Sequence, residues 1–544
     1  MPLHLRWIVG ICALAFSAGA QAAVPFNSDF PIPNLEIGSD ASTANVTATG
    51  GVTAKTLAAR FGRILNIVDD FGADPAGAAD SAPAFTAAFN KAVDAAIFIP
   101  CGAYLLSSVK HFVSSNTSNL SIIGAGRQCV TIKFPAASSI SSEVFKFASA
   151  TNAWVSGITL DLANVTATGV VGIISQNAVN GGSLVVRDSA IINGSALMFL
   201  INTANAARGF VIDSNILTLS SPIDSASNGA VLINGAGSAN GYITNNTLTN
   251  ASIEVNASYT TISGNTCNSW GLQGQCINTD ADAVNSHDNI ITNNIAHGNA
   301  GGGILACYEL WSNRTLVANN FAFNCPGDGF DIGGQNDLVT GNIAWGTGAS
   351  IGTSAGFVLR WGSASVNGNG SLFSGNQAFD GGGGGMKYGF ADQTYLGGGG
   401  CNASQVCSAV LGDNNFVGTL GAIQVRSAAV TYSGSGMTVH GGTATGTASA
   451  QIIASTVPAI IPATMIPGLT VTFVPAATNA GPVTLSVGTA QANYGDNYNA
   501  ATKTTGAIAI NKVSAGSLVP LAGGELISGI PATVTYANSV WALR

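Results

Sequence analysis

The chain has 544 residues, a formal net charge of −8, and 8% charged residues, where ordinary globular chains carry about 25%. An acidic, charge-poor chain with 47% apolar residues is neither a basic nucleic-acid binder nor a solvated, charge-rich disordered chain. Glycine, at 69 residues, together with abundant Ala, Ser, Thr and Asn, points to β-structure with many tight turns.

The chain opens with "MPLHLRWIVGICALAFSAGAQA". A basic start at Arg6, an apolar run from Trp7 to about Ala20 and the small-residue site Ala20-Gln21-Ala22 predict a secretory signal peptide over 1–22, cleaved near Ala22. That run is too short to span a bilayer, and no later stretch reaches 18 apolar residues, so no membrane span is expected. Cleavage leaves 17 Lys and Arg (18 less Arg6) against 26 Asp and Glu, a balance of −9. It also leaves eight of nine cysteines. An even number in an exported chain suggests disulfides. Pairing of sequence neighbours would give Cys101 with Cys129, Cys267 with Cys276, Cys307 with Cys325 and Cys401 with Cys407. No C-x-x-C and no zinc spacing of Cys and His occurs.

Residues 23–52, rich in Pro, Asn, Ser and Thr, read as an extended leader. Next, 53–108 predict a short helix at 57–61, an apolar strand at 64–68, and a Gly/Pro/Asp turn. An Ala-rich amphipathic helix follows at 82–95, with Phe85 and Phe89 on one face, then a strand at 97–99. From about 115 to 430 the pattern repeats. Asn215, Asn246, Asn265, Asn294, Asn320, Asn342 and Asn376 each follow a small residue or Asn, at spacings of 31, 19, 29, 26, 22 and 34. Between them come Gly-led alternating strands such as "GAVLING", "GDGFDIGG" and "AGFVLRWG". Repeats of 20–50 residues built from short strands predict a solenoid, its coils stacked at about 4.8 Å. The asparagines read as a structural ladder up one corner. The solenoid is expected to end near 440. Residues 441–544, with "LTVTFVP", "PVTLSV" and "TVTYANSVWAL", predict a small β-domain.

The stretches "TLAARF", "NIVDDFGA", "AF..AF..AVDAA" and "IFIPCGAYLL" resemble the cap segment of right-handed parallel β-helix proteins of the pectin-lyase-like superfamily, above all phage and prophage tailspikes. The Gly-Asp-Gly and Asp-Asp that usually follow "DFGA" are replaced by "DPAGAAD". The stretches "VTFVPAATNAGPVTLSVG" and "LAGGELISGIPATVTYANSVWALR" resemble a C-terminal module of phage tail fibres. The resemblance implies an all-β fold: a right-handed single-stranded parallel β-helix over 53–440, an N-terminal helical cap segment at 53–108 and a C-terminal β-domain. It also implies a polysaccharide partner, a homotrimer and an origin in a phage particle, whereas the signal peptide implies an extracellular or periplasmic location.

A solenoid offers a long lateral groove suited to polysaccharide chains. Aligning the Gly-led strands on Ile304, Phe330, Phe357 and Met386 puts Leu305, Asp331, Val358 and Lys387 in one outward column. Cys307, Gly333, Arg360 and Gly389 then form the next. Asp331, Glu309, Arg360 and Lys387 become the catalytic candidates. Tyr308, Trp361, Asp280 and His287 become substrate contacts, with Asp282 and His297 also within reach. The bland alternative is an exposed ion-pair ladder with packing aromatics and loop histidines. "NTDADA" is similar to a polygalacturonase motif and "YELWSNR" to alginate epimerases. The companion motifs of both are absent, so no catalytic residue is carried over. Calcium would accompany a lyase mechanism, but nothing in the sequence indicates it. The expected function is binding of a bacterial surface or extracellular polysaccharide, with cleavage by a hydrolase or lyase. The alternatives are a non-catalytic adhesin and a polyuronate-modifying, epimerase-like enzyme.

Overall fold

The computed structural model describes residues 45–46 and 55–56, and 64–544 apart from 108–111, 115–118, 222–229, 269–274, 280–285, 299–305, 361–367, 393–408, 463–469, 488–507 and further short segments. The proposed signal peptide lies outside the described residues. The chain divides into two units, 1–62 and 63–544. In the first, Asn45–Val46 pairs antiparallel with Lys55–Thr56.

In the second unit three long parallel sheets run side by side. The first has 13 strands, from Phe112–Ser114 to Ile460–Pro462; the second has 14, from Ile64–Asn66 to Val430–Tyr432; the third has 12, from Gly102–Leu105 to Asn415–Phe416. Each coil gives one strand to each sheet, as Tyr308–Leu310, Leu316–Ala318 and Phe321–Phe323 do. This is the right-handed parallel β-helix expected, the hand that parallel crossovers adopt.

The cap helix spans Ala82–Lys91, shorter than predicted, with Phe85 and Phe89 buried. Pro in its first turn fits the missing N–H there, and Asp80 Oδ1 accepts from the Ala82 N–H at 2.9 Å.

The corner between the second and third sheets is two residues long in coil after coil, and it holds the asparagine ladder. Asn320 Oδ1 accepts from both the backbone N–H and the side-chain Nδ2 of Asn294, at 3.0 and 2.9 Å. Its own Nδ2 donates to the Ile291 carbonyl at 2.8 Å and to Asn342 Oδ1 at 3.0 Å. The same pattern runs from Asn215 to Asn376 and on to Asn414, which extends the ladder by one member. The residue before each ladder Asn from Asn215 to Asn376 is left-handed, as at Asn293, Asn319 and Gly341, which is why that position is so often Asn or Gly. The other two corners take up the variation in repeat length.

Inside these polar corners the interior is a continuous apolar core. Tyr308, Phe330 and Phe357 stack inside the first sheet, with centroids 4.7 and 4.9 Å apart. Each such ring removes about 2–3 kcal/mol worth of apolar surface from water. Gly329 is there for clearance: a Cβ on it would lie 2.5 Å from the Gly356 carbonyl oxygen of the next coil.

Disulfides join Cys101 to Cys129, Cys267 to Cys276 and Cys307 to Cys325. Cys401 and Cys407 lie outside the described residues. Strands from Thr438 onward form a separate nine-stranded mixed sheet with its own core around Phe473, Leu485 and Trp541. One strand within that stretch, Ile460–Pro462, instead pairs with Gly421–Val425 and continues the first sheet. No helix among the described residues is long and apolar enough to cross a membrane.

Candidate functional site

The outer face of the first sheet is where the acidic residues gather. Its pairing register sets Leu232, Glu254, Asn278, Glu309, Asp331, Val358 and Ala391 side by side in one outward column. One residue beyond each strand end, the ladder continues with Trp311, Gly333 and Arg360, whose backbone N–H groups bond to Thr279, Leu310 and Ile332 of the preceding coils. These three form the neighbouring outward column.

Asp331 therefore stands directly beside Glu309, with Arg360 close by, as the sequence suggested. The register differs from the Gly-led alignment at two coils of four. Tyr308, not Ile304, aligns with Phe330, and Phe390, not Met386, aligns with Phe357. Both slips are four residues. They arise because Cys307 occupies the glycine station in one coil, and because Gly389 rather than Gly385 occupies it in the other. Lys387 is thus four residues before the column member Ala391, roughly 13 Å along the strand, with its N–H on the Ser354 carbonyl. It is not a neighbour of Asp331 in the column.

Tyr308 faces the interior: it is fully buried and its hydroxyl donates to the Phe321 carbonyl at 3.0 Å. It cannot stack on a ligand. His287 sits at the corner before the second sheet. Its Nδ1 is 2.7 Å from Asp288 Oδ2, and Arg314 holds that same carboxylate through two bonds of 2.8 Å. His297 lies on the outer face of the third sheet against Phe323, 4.7 Å between ring centres, away from the acidic column. Asp280, Asp282 and Trp361 lie outside the described residues.

Arg360 Nε donates to Asp331 Oδ1 at 2.7 Å, and its Nη2 makes a shorter contact with Oδ2. The Asp331 side chain is 1% exposed and that of Arg360 28%. The guanidinium carbon also lies 5.3 Å from the Trp311 ring, and the residue between them in the column, Gly333, has no side chain to intervene. Burial alone would lower the pKa of Arg360. The Asp331 carboxylate outweighs it, with help from Glu309 and Asp328, and holds Arg360 above its ordinary range. Arg360 is a fixed cation and not a proton acceptor. Asp328, in the turn before the Asp331 strand, is pushed up to about 7, chiefly by burial; its bond from the Ala355 N–H, 2.7 Å, partly opposes this.

Glu309, 8% exposed, accepts a short bond from the Gln275 amide. Glu254 and Asn278 are half-buried in the same column. Around them, Asn256 Oδ1, Asn278 Oδ1 and Trp311 Nε1 are buried without a protein hydrogen-bond partner, a costly condition that a polar ligand or water would relieve. Cys276 and Cys307 directly precede the strands bearing Asn278 and Glu309, so two of the disulfides brace the rungs of this site. Among the described residues no three His, Cys, Asp or Glu gather as a metal site, so no step is assigned to calcium.

Sequence reasoning missed Glu254, Asn278, Gln275 and Trp311. "SIEVNA" has no leading glycine, and Trp311 enters the column only once the register is corrected.

No curated protein matches the chain. Among solved structures, an Azotobacter vinelandii mannuronan C-5 epimerase A-module is 15% identical over 68% of this chain and 99% of its own, with a TM-score of 0.47. The tailspike of Escherichia coli bacteriophage HK620, solved with a pentasaccharide, is 15% identical over 91% and 97%, with a TM-score of 0.46. A Streptomyces thermodiastaticus α-1,3-glucanase is 16% identical over 68% of both chains, with a TM-score of 0.37. The chain is a parallel β-helix protein whose residues 64–168 match the family model described as Rhamnogalacturonase A/epimerase, pectate lyase-like.

Proposed function

We propose that this protein binds an extended polysaccharide along the outer face of the first sheet and hydrolyses it between Glu254 and Glu309. The observation that carries the reading is their shared column: two carboxylates separated by one rung, Asn278. Two rungs of about 4.8 Å put their backbones roughly 10 Å apart. Carboxylates that invert an anomeric centre stand about 6.5–9.5 Å apart, leaving room for a water between base and sugar. One glutamate protonates the leaving oxygen and the other activates the water. Asp331 is a positioning residue that aims Arg360. Hydrolysis is favoured over elimination because Arg360, held protonated, cannot serve as the base. The three disulfides fit an oxidising, extracellular setting or a virion surface.

A binding protein without turnover is the second reading. It is favoured by the engagement of Asp331 with Arg360 and of Glu309 with Gln275. Reducing-end release from a polysaccharide panel decides between them. E254Q and E309Q should each abolish release while the polymer is still retained. Undiminished release by both variants would remove the glutamates from the mechanism, and retention without release by the native chain would leave the binder.

The proposal extends to assembly. Large side chains on the outer faces of the second and third sheets, Ile290 and Leu338 on one and Phe321 and Trp345 on the other, are about 40% exposed. They support self-association, which the resemblance implies is a homotrimer; light scattering on the mature chain tests it.

A further inference from the structure

Resting on the proposed polysaccharide-binding reading, we propose that Tyr259 is a stacking platform for a sugar of the bound glycan. It forms a lateral subsite on the rim of the acidic column, and His287, Asp288 and Arg314 hold its ring in place.

The corner between the first and second sheets has a left-handed residue in coil after coil, two positions before the outward residue of each second-sheet strand. Gly209, Asn240, Asn336 and Gly370 fill that station on either side of the candidate site, and these are the residue types that tolerate positive φ. In the three coils between Asn240 and Asn336 the station holds Tyr259, Asp288 and Arg314, with φ of 53°, 55° and 54°. Asp takes up this conformation readily; Tyr and Arg do not. Those are the three coils whose first-sheet strands carry Glu254, Asn278 and Glu309. Backbone strain thus falls beside the acidic column, at stations where Asn or Gly would fold with less. Bulky left-handed residues concentrate at ligand-binding sites.

The side chains stand together. Arg314 donates through Nε and Nη2 to the two oxygens of Asp288, each at 2.8 Å. Asp288 Oδ2 also lies 2.7 Å from His287 Nδ1. The His287 ring meets Tyr259 at a right angle, with centroids 5.3 Å apart and planes at 88°. His287, with its side chain 18% exposed, belongs to the support, and Tyr259, 56% exposed, is the open end. A perpendicular contact occupies at most one face of the phenol ring, so one face stays clear of His287. Such a ring offers an apolar face and a polar tip, which match the C–H face and the hydroxyl rim of a pyranose. Tyr259 stands three residues beyond Asn256, and Arg314 three beyond Trp311, within about 10 Å of chain. The stacked sugar therefore lies beside those over the column and not among them.

The test is affinity electrophoresis of the full native chain, Y259N and Y259F in gels cast with a β-1,4-glucan, an α-1,3-glucan, a galactomannan, glycol chitin, alginate or polygalacturonate. The urea unfolding midpoint of each variant is measured alongside. On the polymer that most retards the native chain, Y259N should lose at least fivefold in retention while its midpoint holds or rises, because Asn suits the station, as at Asn240 and Asn336. Y259F, which keeps the ring, should lose at most twofold. Undiminished retention by Y259N overturns the inference and leaves polysaccharide binding standing. A loss matched by a fall in the Y259N midpoint also overturns it, since a structural role gives that result. So does a Y259F loss equal to that of Y259N, which would put the contact on the hydroxyl. If no polymer retards the native chain, the binding reading falls and this inference falls with it.

Discussion

Arg360 grips Asp331 of the preceding coil through both carboxylate oxygens, and the acid is the far more deeply buried of the two. That asymmetry has a thermodynamic consequence. R360A leaves a buried carboxylate unpaired and should cost about 3 kcal/mol. D331N keeps the volume and leaves a cation that can turn toward water, so it should cost about 1–2 kcal/mol. R360K, lacking the planar fork, should recover less than half of the loss. Urea unfolding of the three variants checks the order, and a larger cost for D331N than for R360A would contradict the assigned burial.

Much of the fold was legible because steric and hydrogen-bonding needs repeat in every coil. The ladder asparagines and the left-handed residue before each are local requirements, visible in any single repeat. The register of the first sheet was not, because the Gly-led signal marks close approach at Gly329 and is met elsewhere by Cys307 or Ser252. Counted back from Asn265, Asn320 and Asn342, Glu254, Glu309 and Asp331 each stand 11 residues upstream. In these three coils the ladder carries the register, but Asn278 and Val358 stand 16 and 18 residues before Asn294 and Asn376, so neither the ladder nor the glycines fix it alone. Tyr308 was misplaced as a strand-end residue: the four-residue slip keeps inner and outer faces as they were and makes it the first inward residue of its strand.

Asp337 occupies a ladder-like station where an amide would fit better. In an earlier coil, Asn289 Oδ1 accepts from the Thr260 N–H at 2.8 Å and its Nδ2 donates to the Ala257 carbonyl at 3.0 Å. Asp337 Oδ1 accepts likewise from Thr315 at 2.8 Å. Its Oδ2 is buried without a partner, on the side of the Ser312 carbonyl, which crowds Gly334 from the same direction. Burial drives this carboxyl's pKa well above the ordinary value. Unfolded, it ionises near 3.9; folded, it stays protonated to higher pH. Unfolding therefore releases a proton, and stability falls as pH rises from about 4 toward the folded pKa. Asp328, raised to about 7, acts in the same direction between about 4 and 7. D337N should stabilise the chain by about 1–2 kcal/mol at pH 8 and flatten this slope. A destabilised D337N at pH 8 would show that the charged form is the native one.

Cys267–Cys276 and Cys307–Cys325 close loops with sequence separations of 9 and 18. Constraining loops of that size stabilises by about 3 kcal/mol each. Both brace rungs of the acidic column, so C267S/C276S should lower the unfolding midpoint and also weaken polysaccharide retention. C101S/C129S, far along the solenoid in the cap segment, should lower the midpoint but leave retention intact. Equal loss of retention in both pairs would mean that the braces act only through global stability.

The asparagine ladder offers the converse of Asp337. Asn320 satisfies two donors below it and two acceptors around it, all buried. N320A orphans these groups and should cost about 3 kcal/mol. N320D keeps the Oδ1 acceptor and the shape, but turns an acceptor toward the Ile291 carbonyl and Asn342 Oδ1. Once ionised it should be at least as destabilising as N320A at pH 7. Lowering the pH supplies the missing donor as the carboxyl protonates, so N320D should regain stability relative to N320A on approach to pH 4. Parallel denaturation curves at pH 7 and pH 4.5 read that crossover. Its absence would mean that the corner satisfies its acceptors by some route other than the amide, and the ladder would then be a packing feature more than a hydrogen-bonded one.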